Sequence, residues 1–188
     1  MAIDKVTSAS ITTDAVGPTQ LNEASNYSFT GTVTGAGGTT AQYFFASLSA
    51  NTSISEAAYV KVQFNDEEID SNNCYDNSSN YRFTPNVAGK YYIFTHMTMY
   101  GSSNNSIHGM GVQIYKNGSR YINDDATAHD GSCWTRIHAY SGGIIDMNGS
   151  SDYVEAYAYC DTINSASVTV QGNSSQPITY FGGYKMTE

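Results

Sequence analysis

From Gln42 onward the chain consists of short runs of aromatic and β-branched residues, each bounded by Gly, Asn, Asp or Ser. That pattern constrains the fold more than any other feature, because such runs favour strands and such boundaries favour turns. The runs are Tyr43-Phe44-Phe45, Tyr59 to Phe64, Lys90 to Tyr100, Met110 to Tyr115, Trp134 to Ile145, Tyr153 to Tyr159, Val168 to Val170 and Thr179 to Met186. No segment repeats its apolar residues at the helical period. Short strands at regular spacing predict an all-β sandwich or barrel. Lys116-Asn117-Gly118-Ser119 predicts a hairpin, since Asn-Gly suits both positive-φ positions of a type I′ turn. In Lys90 to Tyr100, one face would carry Tyr91, Ile93, Thr95, Met97 and Met99, and the other Tyr92, Phe94, His96, Thr98 and Tyr100. Neither face is charged, so both are expected to be covered.

Residues 1–40 differ in character. They are rich in Thr, Ala, Gly and Ser, end in Gly35-Ala36-Gly37-Gly38, and hold too few large apolar groups for a core of their own. The reading is an N-terminal attachment segment or linker over 1–40 and one folded domain over 41–188. Charge then narrows the partners. Eight Lys and Arg against 17 Asp and Glu give a net charge of −9. This excludes a nucleic-acid duplex as the natural partner and disfavours an anionic membrane surface, because both need a basic patch. No apolar run approaches the length of about 20 residues that spans a bilayer, so no membrane insertion is expected. Met1 to Ser10 lacks the apolar block of a signal peptide. Cys74, Cys133 and Cys160 form an odd set without a Cys-x-x-Cys pair, read as free thiols in strands of a protein made in a reducing compartment.

Several strands resemble the C1q-like domain of the C1q/tumour-necrosis-factor group. Phe64 is followed at the family's spacing by Asp70 and Tyr75, and Phe83 precedes Gly89-Lys90-Tyr91 with one residue inserted ahead of it. Val112-Gln113-Ile114-Tyr115-Lys116-Asn117-Gly118 looks like the family strand that ends in Lys-Asn-Gly. Asp152-Tyr153-Val154-Glu155-Ala156-Tyr157 and Phe181-Gly182-Gly183-Tyr184 look like two later strands. Ile93 and Thr95 depart from the family's aromatic residues. The resemblance spans about residues 41–188 and implies a C1q/TNF-like jelly-roll sandwich that forms compact homotrimers through aromatic faces. It places Phe64, Phe83, Gly89, Tyr91, Phe94, Phe181 and Tyr184 in the core or the trimer contact. Ile11 to Leu21 is similar to connector segments near the start of bacteriophage fibre proteins. That similarity implies a virion location, made in the host cytoplasm, with residues 1–40 joining other virion proteins.

The sequence offers little catalytic chemistry. There is no Gly-x-Ser-x-Gly elbow, no P-loop and no dinucleotide fingerprint. Ser132-Cys133 beside His129 and Asp130 reads as turn composition. Asp124, Asp125 and Asp130 are candidate metal ligands, since Ca²⁺ takes oxygen donors from loops, and some C1q-like trimers hold Ca²⁺; no other cofactor is expected. Asp66-Glu67-Glu68 with Asp70 reads as an exposed loop, and His108 as part of a Gly/Asn-rich turn. Two stretches rich in Tyr, Ser, Gly and Asn have the composition of antibody paratopes. They supply Asn73, Tyr75, Asn77, Tyr81, Tyr100 and Asn104 as candidate binding residues. The function expected is non-enzymatic: a trimeric phage fibre, spike or head protein that binds a host-surface glycan or protein. The alternatives are a purely structural capsid decoration protein and a cellular C1q-like lectin or ligand-binding module.

Overall fold

A computed structural model of the chain describes residues 42–103, 106–129 and 132–186. The 1–40 segment, Asn104 and Asp130 lie outside the described residues. Among the described residues there is no helix. In chain order the strands are β1 Tyr43–Ser47, β2 Thr52–Ile54, β3 Val60–Lys61, β4 Asp66–Asp70, β5 Tyr75–Asp76, β6 Arg82–Phe83, β7 Gly89–Gly101, β8 Ile107–Lys116, β9 Ser119–Thr127, β10 Arg136–Met147, β11 Val154–Thr162, β12 Val168–Val170 and β13 Tyr180–Lys185. They form two antiparallel sheets, as the all-β sandwich reading expects.

The first sheet is organised around β7. Strand β10 pairs with one edge of it, from Met147↔Gly89 to Arg136↔Tyr100. The other edge is shared by β13, against Tyr91 to His96, and β12, against Met99 to Gly101. Strand β1 follows β13, β2 follows β12, and β4 closes the sheet beside β1. The second sheet runs β5-β6-β11-β8-β9, with β3 also on β11.

The residues that form β11 show why the two sheets meet. Val154, Ala156, Ala158 and Cys160 alternate with Glu155, Tyr157, Tyr159 and Asp161, and the first set is wholly buried. The period of two sends one set to the core and the other outward. From β7, Tyr91, Ile93, Met97 and Met99 enter the same core. The aromatic centre is Phe44, stacked on Phe83 at 4.3 Å and on Tyr75 at 5.0 Å, with Phe181 edge-on. Each such ring contributes about 1.5–3 kcal/mol through burial. The β8–β9 hairpin turns at Asn117 and Gly118, with φ of 52° and 77°, as the Asn-Gly signal predicts.

Several expectations are corrected. Asp66 to Asp70 is an edge strand rather than a loop, and its carboxylates guard that edge against pairing with another chain. His108 lies within β8, not in a turn. Asn123-Asp124-Asp125 belongs to β9, not to a loop. The run from Tyr59 to Phe64 is a strand only at Val60–Lys61. All three cysteines are free thiols, but only Cys160 is in a strand.

Candidate functional site

The outward face of the first sheet is the most unusual surface of the domain. Register places Tyr92, Phe94 and His96 of β7 beside Ile144, Gly142 and Tyr140 of β10. On the other side they meet Tyr184, Gly182 and Tyr180 of β13. Tyr43 and Phe45 of β1 and Ile69 of β4 extend the row. These side chains touch each other across the strands. Tyr92 and Tyr140 share a hydroxyl hydrogen bond of 2.9 Å. Phe94 stacks with Tyr140 at 6.4 Å, and His96 with Tyr180 at 5.2 Å. Gly182 leaves the space that the Phe94 ring fills, since a Cβ there would come within 2.7 Å of it.

The face is aromatic yet open to water. Tyr43 is 43% exposed, Ile69 52%, Tyr140 43%, Ile144 54% and Tyr184 49%. Among the described residues, five of the eight exposed large hydrophobics lie here, so the exposure is concentrated rather than scattered. The charges that pair along β7 and β10 sit at the strand ends, at Arg136, Lys90 and Asp146. Two histidines, His96 and His138, lie 5.9 Å apart near the centre. Burial holds His96 below its ordinary range, and His138 adds to this, while the Ile178 carbonyl opposes it.

The residues expected in the core or the trimer contact divide between two places. Phe64, Phe83, Tyr91 and Phe181 are wholly buried in the core. Phe94 and Tyr184 stand on the outward aromatic face. Gly89 opens β7 at a φ of 144°. Sequence reading of β7 alone identified one row of this face. The contributions of Tyr140, Ile144, Tyr180, Tyr43 and Phe45 were missed, although their own alternation in β10, β13 and β1 carries the signal.

The recognition candidates are not gathered into one surface. Ser71 is tied to Tyr43, and Tyr43 stands opposite Tyr184, which stands opposite Tyr92. Tyr100 lies eight residues further along β7, about 26 Å away at strand rise. Asn73 and Tyr100 therefore belong to opposite ends of the sandwich. Tyr100 sits on the sheet and accepts a hydrogen bond from Asn51 Nδ2 at 2.9 Å. Tyr75 is a correction: it is 6% exposed, and its hydroxyl donates to the Phe64 carbonyl at 2.9 Å. Asn77 and Tyr81 flank a tight loop organised by Asp76, whose carboxylate accepts from the amides of Ser78, Ser79 and Asn80. Those bonds, Ser79 foremost, hold the carboxyl well below the usual carboxylate range. Asn73 and Tyr81 both adopt positive φ. For the metal candidates, alternation sends Asp124 and Asp125 to opposite sides of β9. Among the described residues no group of three or more His, Cys, Asp or Glu side chains gathers to hold a metal ion.

No protein-family model matches the sequence, and no curated protein is similar to it in sequence. The fold is shared with solved structures. Eiger TNF from S. frugiperda superposes with a TM-score of 0.54 at 8% identity, covering 79% of this chain and 92% of that one. Murine APRIL gives a TM-score of 0.54 at 10% identity, covering 78% and 99%. The globular domain of zebrafish complement 1qA gives 0.51 at 14% identity, covering 79% and 98%. The described domain is an all-β jelly-roll sandwich of the C1q/TNF-like fold.

Proposed function

We propose that the chain is a non-catalytic, homotrimeric recognition module whose first sheet packs its aromatic face around a threefold axis. The exposed, uncharged aromatic row across β1, β7, β10 and β13 carries this reading. A monomer that leaves such a row in water holds the kind of contiguous apolar patch that marks an interface. Tyr enrichment with depleted charge is the composition of an interface centre. Three copies in cyclic arrangement close the contact without leaving an open end. The resemblance to the C1q/tumour-necrosis-factor group favours the same assembly.

The setting proposed is a phage virion. Residues 1–40 attach the trimer to other virion proteins, as the fibre-like segment Ile11 to Leu21 suggests. Three identical domains then contact a host-surface glycan or protein, and avidity converts weak single sites into firm attachment. Assembly is tested by light-scattering mass of the full chain. Wild type is expected at three times the monomer mass. Tyr140→Glu and Tyr184→Glu each place a carboxylate in the face and are expected to give folded monomers. A monomeric wild type overturns the trimer. Immunogold labelling of virions tests the setting: label on tail tips supports host binding, and label over the head favours decoration. Particles that carry no label overturn the virion reading and leave a cellular binding module.

A further inference from the structure

The outward face of the second sheet contains a trough that the aromatic face and the loops do not involve. Its floor is β8, which carries Gly109 and Gly111 where outward side chains would stand. Glycine inside a strand weakens it, and it often marks a place where another group approaches the backbone closely. Register sets Tyr159 and Asp161 of β11 on one side of the two glycines, and Asp125 and Thr127 of β9 on the other. The Gln113 side chain fills the space over Gly111, and beside it Gly109 lines a recess of about 290 Å³, near the lower end of small-ligand sites at about 300 Å³. Tyr59 and Tyr159 form an aromatic wall, their rings 4.9 Å apart and tilted by 31°. Arg120 caps it, Nη1 donating to the Tyr59 hydroxyl at 3.3 Å.

Gln113 supplies the independent observation. It lines the recess, yet it is 1% exposed, and its Oε1 is buried without a hydrogen-bond partner. Its amide lies over Gly111: a Cβ there would stand 2.5 Å from Gln113 Nε2. A buried acceptor left unpaired is unfavourable by about 1–3 kcal/mol, so such groups are rare without a purpose. Two carboxylates, Asp125 and Asp161, also line the recess, each oriented by one neighbour and with lone pairs to spare. Asn123 Nδ2 donates to Asp125 Oδ1, and His108 Nδ1 lies 3.1 Å from Asp161 Oδ2.

We propose that this recess binds a neutral pyranose sugar residue. A ligand hydroxyl donates to Gln113 Oε1. Asp125 and Asp161 accept from further hydroxyls, Arg120 donates to a ring or hydroxyl oxygen, and the tyrosine wall takes the apolar face of the ring. Two carboxylates against one guanidinium disfavour an acidic sugar. The site lies on the sheet facing away from the proposed trimer contact, so it stands or falls separately from that assembly.

The test is titration of the isotope-labelled full chain with the methyl glycosides of glucose, galactose, mannose and N-acetylglucosamine, followed by amide NMR shifts. At least one glycoside is expected to move the Gly109, Gly111 and Gln113 signals. In Gly109→Ala the new methyl meets only ordinary contacts, the nearest Asp161 Cβ at 3.5 Å, so the fold is kept while the floor is filled. Gln113→Leu removes the unpaired oxygen and is expected to leave urea stability equal or higher. Each variant is expected to weaken binding about tenfold or more, as loss of one hydrogen bond or of close fit requires. No shift with any glycoside, or unchanged affinity in both variants, overturns the proposal. Shifts at these amides from Ca²⁺ alone would overturn it as well, in favour of a cation site.

Discussion

Gln42 precedes the first strand with none of its surface exposed, and its side chain ties three segments together. Its Oε1 accepts from the Tyr91 hydroxyl at 2.6 Å and from the Val87 amide at 3.2 Å. Its Nε2 donates to Asn86 Oδ1 and approaches the Cys74 thiol. Burial raises the Tyr91 hydroxyl to about 12, which keeps it a neutral donor. Tyr91→Phe removes a single donor and is expected to destabilise the domain by about 1–3 kcal/mol. Gln42→Leu takes the acceptor from the Val87 amide and the donor from Asn86 Oδ1, while the Tyr91 hydroxyl keeps the Val87 carbonyl at 2.7 Å, so its loss should be the larger of the two. Urea midpoints of both variants check the order, and equal stability of Gln42→Leu and wild type would refute the network. None of this was legible in the sequence, where Gln42 is one polar residue before an aromatic run. Tyr75 was misread for the converse reason. Its Asn, Asp and Ser neighbours have loop composition, while its own ring is stacked beneath Phe44.

Among the elements, the strands rich in aromatic and β-branched residues were legible and the polar edge strands were not. β7, β10, β11 and β13 carry aromatic and β-branched residues because at least one of their faces meets the core. β9, with the sequence Ser-Arg-Tyr-Ile-Asn-Asp-Asp-Ala-Thr, and the acidic β4 lack that signal. An exposed edge favours polar and charged residues regardless of its backbone conformation. The trough of the second sheet was hidden by the same ambiguity, since the stretch around His108 and Gly109 read as a turn until pairing places Gly109 within β8. The loop between β5 and β6 has a legible cause, a carboxylate that accepts from successive amides. Its pH dependence follows from the direction of the shift. The folded chain holds Asp76 below its ordinary value of 3.8, so the carboxylate's contribution is complete above that value. It is lost as pH falls below it. Asp76→Asn should therefore be less stable than wild type near neutral pH, and the gap should narrow as the solution is acidified below 3.8. A gap independent of pH would show that the loop does not depend on the charge.

For the whole molecule, the question is what acid does to the exposed aromatic face of the first sheet. His96 lies within that face, its ring stacked on Tyr180 and its Nδ1 3.0 Å from the Ile178 carbonyl. Burial first, and then His138 at 5.9 Å, keep it below the ordinary histidine value of 6.5. The unfolded chain thus takes up a proton near 6.5, whereas the folded domain takes it up only at a lower pH. Stability is complete above 6.5 and is lost as pH falls from there through the folded value. In the proposed trimer, packing three such faces together would remove more water from each imidazole and lower its affinity for protons further. The loss on acidification should then be steeper for the trimer than for the monomeric Tyr140→Glu variant. Wild type is expected to lose urea stability and trimer mass together as pH falls below about 6.5, with His96→Gln holding both more nearly level. If His96→Gln follows the wild-type pH curve, His96 is not the group responsible. If Tyr140→Glu is as steep as wild type, the face is not buried further by assembly.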